Sequence, residues 1–157
     1  MQQMLHAAPA EGLHVRIGSQ QDCWKTLAAL IDKRAAAIYA RRADTHEDGT
    51  DPWQLAQTQI ERPLSCGILK LTGGWLISFN SAELGTSEIE LCVEPHRLVL
   101  VGRNFVGGSG AIEPVVRVVK VPNEVDTSRV TFTREGPIID VELRDARSLR
   151  PAPGKAA

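Results

Sequence analysis

RVVKVPNEVDTSRVTFTREG, residues 117–136, decides the fold of this chain, and PIIDVELRDA follows it directly. The stretch begins with a valine-rich run that stops at Val121-Pro122 and continues through an acidic turn. Two runs of alternating apolar and polar residues come next, and in the first of them Val130 and Phe132 alternate with threonines. A period of two is typical of a strand with one buried face. The stretch therefore predicts three β-strands closed by turns.

The same period of two extends upstream as far as residue 66. With the three runs above, the candidate strands are GILKLT, WLISFN, EIELCVE, RLVLVG, VVRVVKV, VTFTRE and IIDVELR, most of them separated by glycine, asparagine, proline or aspartate. Closely spaced strands with one buried face and no intervening helices indicate two packed antiparallel sheets. We therefore predict an all-β, immunoglobulin-like sandwich over residues 66–146.

Residues 19–62 carry a helical period instead. Trp24, Leu27 and Ile31 recur at steps of three or four residues, which places them on one face of a long helix. Asp51-Pro52 begins a short second helix, because aspartate is a favoured N-cap and proline a favoured first helical residue. The sequence thus predicts a hairpin of two helices joined by a polar turn.

These patterns divide the 157-residue chain into four parts. We predict a flexible N-terminal arm over residues 1–18, the helical segment over 19–62, the sandwich over 66–146 and a flexible C-terminal tail over 147–157. The arm is assigned as flexible because it lacks sustained periodicity and contains proline and glycine.

Composition and charge exclude several classes of function. The formal net charge of −1 creates no strong field for nucleic acid or an anionic membrane. No apolar stretch approaches the roughly 20 residues of a membrane helix, and the N-terminus lacks the pattern of a signal peptide. Three cysteines at unrelated spacings, Cys23, Cys66 and Cys92, argue against a disulfide framework and fit a reducing compartment. We therefore predict a soluble cytoplasmic protein without a nucleic-acid or membrane partner.

The second half resembles the alpha-crystallin domain of small heat-shock proteins over about residues 66–146. In that family a run ending in L-P closes one strand, a V-D turn follows, and a glycine-containing turn opens the last hairpin. The residues that carry the resemblance here are Val115, Arg117, Val121, Pro122, Val125, Asp126, Phe132, Gly136, Pro137, Ile138 and Ile139, preceded by Ile89, Leu91, Val93, Leu98, Leu100 and Gly102. The resemblance implies an alpha-crystallin-type sandwich.

Three departures from the family pattern bear on the turn and on assembly. Pro137 stands where the family has glycine, the connection RNFVGGSGAIEP is short, and the tail SLRPAPGKAA has no I-x-I motif. Bacterial and plant members of the family usually use a longer loop to exchange a strand between dimer partners, and members use the I-x-I motif to dock onto a neighbour. A homodimer or small oligomer is therefore the expected state, rather than a large assembly.

The resemblance implies an ATP-independent chaperone, or holdase, that binds unfolded or aggregation-prone clients in a bacterial stress response. In the family, a groove between the strands that correspond to IELCV and VTFT takes extended segments. Carried over, Leu91, Val93, Val130 and Phe132 line or support this groove, although the same four residues are equally explained as sandwich core. The alternative function is a β-sandwich adaptor that binds one specific protein partner.

The helical segment resembles a short bacterial helical domain of unknown function, through the pattern AAAIYARRADTHEDGTDPWQLA. This similarity implies no activity. We interpret Trp24, Tyr39 and Trp53 as anchors that hold the two helices together or against the sandwich, since aromatic side chains are more often buried. An exposed aromatic contact site is the alternative.

Catalytic and metal-binding patterns are sparse in this sequence. The histidines have no partners at zinc-site spacing, and Cys92 with His96 forms only a single C-x-x-x-H pair. GGSG, residues 107–110, lacks the lysine and the spacing of a phosphate-binding loop, and no nucleophile has a visible base nearby. We predict no catalytic residues, no metal and no cofactor, and hence a binding protein rather than an enzyme.

Overall fold

The computed structural model describes residues 12–45, 49–105 and 114–146. This part of the chain forms two helices, α1 (Gln20–Thr45) and α2 (Pro52–Ile60), and nine strands. The strands are β1 (His14–Ile17), β2 (Arg62–Pro63), β3 (Gly67–Leu71), β4 (Gly74–Asn80), β5 (Thr86–Glu94), β6 (Arg97–Phe105), β7 (Val115–Lys120), β8 (Val125–Glu135) and β9 (Ile138–Asp145). A short 3₁₀ turn, Ser81–Leu84, joins β4 to β5.

The strands form two sheets with a shared core. One sheet has the order β1-β5-β6-β7-β2, and the other has the order β3-β4-β9-β8. The seven strands predicted from the sequence correspond to β3 through β9, and they are joined within their sheets by antiparallel pairs. The predicted fold class, an immunoglobulin-like all-β sandwich preceded by a helical segment, is confirmed.

The main core lies between the two sheets. Leu91 and Val93 from β5 share one buried cluster with Val141 and Leu143 from β9. Alternate residues on these strands face inward, because side chains of a strand point to its two faces in turn. The other fully buried aliphatic residues of this cluster are Ile77, Ile89, Leu98, Leu100 and Ile139.

The helical segment covers the outer face of the five-stranded sheet. Cys23 and Leu27 from α1 form a second buried cluster with Val99, Val101 and Val116 of that sheet. Strand β6 is therefore buried on both faces, which explains its uninterrupted apolar run LVLV. The molecule has three layers, with the helices outermost.

A polar side chain caps the N-terminus of each helix. The hydroxyl oxygen of Ser19 accepts a hydrogen bond of 3.1 Å from the backbone N–H of Asp22 at the start of α1. The carboxylate of Asp51 accepts one of 3.2 Å from the backbone N–H of Gln54, and Pro52 begins α2. Both bonds satisfy an amide that the helix leaves without an internal partner. The N-cap and proline predicted for the second helix are confirmed.

A disulfide bond joins the helical segment to the sandwich, which corrects the prediction made from cysteine spacing. Cys23 on α1 and Cys92 on β5 are bonded, with their Cα atoms 6.0 Å apart, and Cys66 is the free cysteine. The two sulfurs meet because the outer face of β5 lies under the first turns of α1, a proximity that spacing does not reveal. The argument for a reducing compartment therefore fails. In the described parts of the chain, no helix is long and apolar enough to cross a membrane.

The segment predicted as a flexible arm contains a strand at its end. Residues 14–17 form β1, which pairs in parallel with β5, and Leu13 just before it is buried. A second short parallel addition, β2, lies on β7 at the other edge of the same sheet. Neither strand shows a clear alternating run because each is short and pairs at an edge. Residues 1–11 and the predicted tail, 147–157, lie outside the described residues, as do His6, His46 and the GGSG connection.

Candidate functional site

The four residues predicted to line a groove lie on two facing strands, one from each sheet. Leu91 and Val93 on β5 are buried in the core, and Val130 and Phe132 on β8 are half-buried against the same cluster. The structure thus brings all four together at the border between the sheets. Leu91 and Val93 form its apolar floor and belong to the sandwich core.

A segment of the chain itself lies at this border. Val15 pairs with Ile89 and Ile17 with Leu91 in the parallel ladder between β1 and β5. The backbone N–H of Gly18 extends the ladder with a 2.8 Å hydrogen bond to the carbonyl of Leu91. The edge of β5 is therefore satisfied by residues 14–18.

The segment also reaches the opposite sheet. Arg134 on β8 donates a hydrogen bond to the backbone carbonyl of Leu13. Leu13 is buried in the inter-sheet cluster and Val15 packs against it, whereas the side chain of Ile17, although it faces the same way, is 44% exposed. We name residues 13–17 the plug segment and the border between β5 and β8 the β5–β8 groove. The plug segment lies along this groove, with the apolar side chains of Leu13 and Val15 at alternate positions against the inter-sheet cluster.

The outward side of the plug segment carries charge. Arg16 lies 2.8 Å from the carboxylate of Glu90, which is buried although it stands on the outer face of β5. Arg103 on β6 approaches the other oxygen of the same carboxylate at 3.5 Å and donates a 3.0 Å hydrogen bond to Thr26 on α1. A cleft of about 370 Å³ adjoins these groups and His14. One buried carboxylate thus connects the plug segment to the sheet through two arginines.

Two of the three predicted aromatic anchors are wrong. Trp24 is 58% exposed and Tyr39 is 70% exposed, so neither holds the helices in place. Of the predicted face, Leu27 and Ile31 are buried, and Leu27 packs on the sheet beside Cys23, which lies about 100° around the helix from Trp24. Trp53 does join the helices, because its indole N–H donates a 2.9 Å hydrogen bond to Asp32 on α1.

A larger cleft of about 660 Å³ lies at the opposite edge of the five-stranded sheet. It is lined by apolar side chains, including Leu64 and Ile68, and by the free thiol of Cys66. Burial and, to a smaller extent, the charge of Glu83 raise the pKa of this thiol. A thiol with a raised pKa stays protonated at neutral pH, which makes it a poor nucleophile.

An ion-pair network closes one end of this cleft. The guanidinium of Arg97 lies 2.7 Å from the carboxylate of Glu61 and 2.7 Å from that of Glu94. Burial alone lowers the pKa of Arg97, but hydrogen bonds and charge attraction from the two carboxylates outweigh it and raise the pKa. The arginine is thus permanently charged and links α2 to the β5–β6 hairpin. We interpret this network as structural, because both carboxylates are already paired with Arg97.

One group of three side chains in the described residues has atoms close enough to hold a metal ion: Cys23, Glu90 and Cys92, within 4.8 Å of one another. Both sulfurs are consumed by the disulfide, and Glu90 is paired with arginines. A structural zinc site needs four ligands, with cysteines as thiolates. The group in this state does not fit a metal. The predicted C-x-x-x-H pair shares only Cys92 with it.

Comparison with known proteins finds similar solved structures but no matching family model. No protein-family model matches the chain, and no curated protein matches it significantly. HSP18.5 from E. histolytica is 14% identical, with 57% of this chain and 94% of that chain covered and a TM-score of 0.42. Heat shock protein 16.0 from Schizosaccharomyces pombe is 10% identical, with 59% and 94% covered and a TM-score of 0.44. The protein hspA from Xanthomonas axonopodis is 14% identical, with 52% of this chain and 92% of that chain covered and a TM-score of 0.42.

These similar structures are heat-shock proteins, the family that the strand motifs of the second half resemble. At these identities and TM-scores we base neither the fold nor an activity on the similarity. The resemblance of the helical segment to a bacterial domain gains no support, because no family model matches. The fold rests on the sheets themselves, and the function has to be argued from the groove.

Proposed function

We propose that this protein is an ATP-independent holdase that binds extended apolar segments of unfolded or aggregation-prone clients in the β5–β8 groove. One observation carries the proposal: the groove holds an extended segment with apolar residues at alternate positions, supplied by the chain itself. A site that accepts Leu13 and Val15 in this manner suits other segments of the same pattern. The protein acts by binding and has no need of a catalytic residue.

The chemistry of the groove suits unrelated sequences. Most of the polar contacts to the plug segment are made by its backbone, through the ladder to β5 and the hydrogen bond from Arg134 to Leu13. Strand addition to a sheet edge draws affinity from main-chain hydrogen bonds, which every sequence can supply. Specificity is then limited to apolar side chains at alternate positions. Unfolded proteins expose many such segments.

The test is suppression of client aggregation without nucleotide. A heat-labile enzyme is warmed with increasing amounts of the protein, in its disulfide-bonded and its reduced form, while light scattering is recorded. We expect dose-dependent suppression, loss of suppression in Val130→Asp, which places a charge in the groove, and retention in Thr131→Asp. Thr131 is the matched control because it is the exposed neighbour of Val130 on the other face of β8. No suppression up to several-fold excess in either thiol state contradicts the proposal.

A specific adaptor is the second candidate function, and the exposed aromatics on α1 favour it. Trp24 and Tyr39 are separated by fifteen residues, about 22 Å along a helix, so they offer two distant contacts on one long element. Exposed aromatics are enriched where proteins bind one another. If the holdase proposal is right, Trp24→Ser with Tyr39→Ser leaves the suppression of aggregation unchanged. If the protein is instead an adaptor, the wild type should not suppress the aggregation of clients.

Oligomeric state and location are further parts of the proposal. We infer a homodimer or small oligomer, to be measured by light scattering coupled to size-exclusion chromatography. The cytoplasmic location and the stress response predicted from the sequence remain predictions, and the disulfide argues for an oxidising compartment instead. Free thiols can be alkylated at the moment of cell lysis and then counted, which shows whether the disulfide is present in the cell. One free thiol per chain means the bond persists in the cell, and three mean that it does not.

A further inference from the structure

The disulfide lies at the junction between the plug segment and its acceptor strand. Cys92 follows Leu91, the residue of β5 at which the ladder with β1 ends. Cys23 is only six residues after Ile17, in the first turns of α1. The covalent bond therefore connects the strand that accepts the plug segment to the piece of chain that delivers it.

Non-covalent contacts near this junction hold both the start of the helix and the residues that follow the plug segment. Leu27 packs further along α1, against the valines of the outer face of the sheet. Between Ile17 and the helix, the chain is held by the backbone bond from Gly18 to Leu91 and by a 3.2 Å hydrogen bond from the side chain of Gln20 to the carbonyl of Val93. The disulfide is the covalent constraint on this junction.

The plug segment by itself is a short ligand. Its apolar contacts come from Leu13 and Val15, while Ile17 is largely exposed, and its outward side adds the pair between Arg16 and Glu90. Such a segment stays bound when a tether keeps its local concentration high, on the order of millimolar for a short flexible linker. A longer or looser tether lowers this concentration. Cleavage of the disulfide loosens the tether next to the ladder.

We propose that the thiol–disulfide state of Cys23 and Cys92 controls the β5–β8 groove: the disulfide keeps the plug segment in place, and reduction lets an extended client segment with alternating apolar residues replace it. This proposal rests on the proposed function and adds its regulation. In the reduction, a dithiol reductant supplies two electrons and two protons. The S–S bond breaks, two thiols form on the protein, and the reductant becomes a disulfide.

Reduction requires local opening, because both cysteines are buried. A dithiol attacks as a thiolate and needs direct access to a sulfur atom. The switch is therefore slow when the protein is fully folded and faster when heat loosens the packing of α1. Conditions that unfold clients then also favour release of the plug segment.

The experiment measures binding of a peptide to the full chain in both thiol states. The probe is a fluorescently labelled peptide GLHVRIG, which copies residues 12–18, and fluorescence anisotropy reports its binding. Thiol titration verifies each state, with one free thiol before reduction and three after it. We expect the dissociation constant to fall by about tenfold or more on reduction, because the plug segment on its looser tether competes less strongly for the groove. A peptide with serine at the positions of Leu13 and Val15 is the control and should not bind.

A second protein separates the redox effect from damage by the reductant. In Cys23→Ser with Cys92→Ser, the peptide should bind as it does to the reduced wild type and independently of reductant, provided that circular dichroism shows a folded sandwich. If this variant does not fold, wild-type protein whose bond has been reduced and alkylated under folding conditions takes its place. Equal peptide affinity in both thiol states of the wild type overturns the proposal. A reduced form that dimerises, and that the peptide returns to monomer, also overturns it, because a second copy is then the occupant.

Failure of this proposal differs from failure of the proposed function. Client suppression that is equal in both thiol states removes the regulation but leaves the holdase. Redox-dependent peptide binding without any client suppression keeps the regulated groove and removes the holdase.

Discussion

Arg134 on β8 donates a hydrogen bond across the border between the sheets to the backbone carbonyl of Leu13. The two residues are 121 positions apart in sequence. Their contact places the plug segment against both sheets, since β1 pairs with β5 on its other side. The chain itself thus supplies an extended segment next to the residues predicted to line a groove, whose role in binding stays a prediction.

Emptying the groove should expose apolar surface. Val15→Asp places a charge against the inter-sheet cluster, where burial of an unpaired carboxylate is unfavourable. We expect the plug segment to leave and the binding of a hydrophobic dye such as bis-ANS to rise several-fold. His14→Asp is the matched control, because His14 is an exposed neighbour that faces outward. Equal dye binding by both variants is the result that contradicts this account.

The two neighbouring faces of α1 should respond differently to truncation. Leu27 is fully buried under the helix, and Leu27→Ala should lower the free energy of unfolding by about 2–5 kcal/mol through the cavity it leaves. Trp24 is mostly exposed, so Trp24→Ala should change the same quantity by less than about 0.5 kcal/mol. Urea unfolding followed by circular dichroism measures both. A larger loss for Trp24 than for Leu27 would mean that Trp24 is an anchor, as the sequence predicted.

The hydrogen bond between Trp53 and Asp32 should contribute measurably to the helical hairpin. Trp53→Phe removes the indole donor and should cost about 1 kcal/mol of unfolding free energy, besides a small packing loss. Asp32→Asn keeps an acceptor oxygen and should cost less. Combining Trp53→Phe with Asp32→Ala in a double-mutant cycle isolates the pair. A coupling energy near zero means that the bond is not formed in solution.

The disulfide should stabilise the whole chain. Its cysteines are 69 residues apart, and removal of a bond that closes a loop of this size typically costs about 2–5 kcal/mol. Thermal unfolding of the wild type with and without a dithiol reductant, monitored by circular dichroism, should show a clear drop in Tm. The Cys23→Ser, Cys92→Ser variant should show the lower Tm under both conditions. An unchanged Tm after verified reduction contradicts this expectation.

Cys66 should be slow to react at neutral pH. Burial raises the pKa of its thiol, so the thiolate fraction at pH 8 is smaller than that of an ordinary exposed cysteine. Alkylation by iodoacetamide, followed by mass spectrometry, should lag behind that of glutathione and accelerate as the pH rises. Glu83→Gln removes only the smaller cause and should leave most of the lag. Alkylation of Cys66 as fast as that of glutathione would refute the raised pKa.

The sandwich could be predicted because the sequence signals for its strands and turns lie in neighbouring residues. Alternation in β5, β8 and β9 reports which face of each strand is buried, and the turn residues mark where strands end. The N-cap of α2 was likewise readable from Asp51-Pro52. Each of these signals depends on neighbours in sequence alone.

The disulfide and the plug segment depend on contacts between distant parts of the chain. The sequence contains one signal for the disulfide. Strand β6 carries apolar residues on both faces, and Cys92 shares the outer face of the sheet with Val99. An apolar outer face indicates that a further layer covers it. Cys23 lies four residues before Leu27, on the helical face that supplies this layer. For the plug segment, the alternation of Leu13, Val15 and Ile17 was present but too short to separate from irregular chain.

The measurement that tests the account most directly closes the groove covalently. His14 and Glu88 are exposed partners in the ladder, so His14→Cys with Glu88→Cys allows a bond that locks β1 onto β5. The variant is made with Cys23→Ser and Cys92→Ser, and light scattering of a heat-labile client is recorded before and after the engineered bond forms. The account predicts suppression by the reduced variant, and a need for about tenfold more protein once the plug segment is locked. Equal suppression in both states would show that clients bind elsewhere.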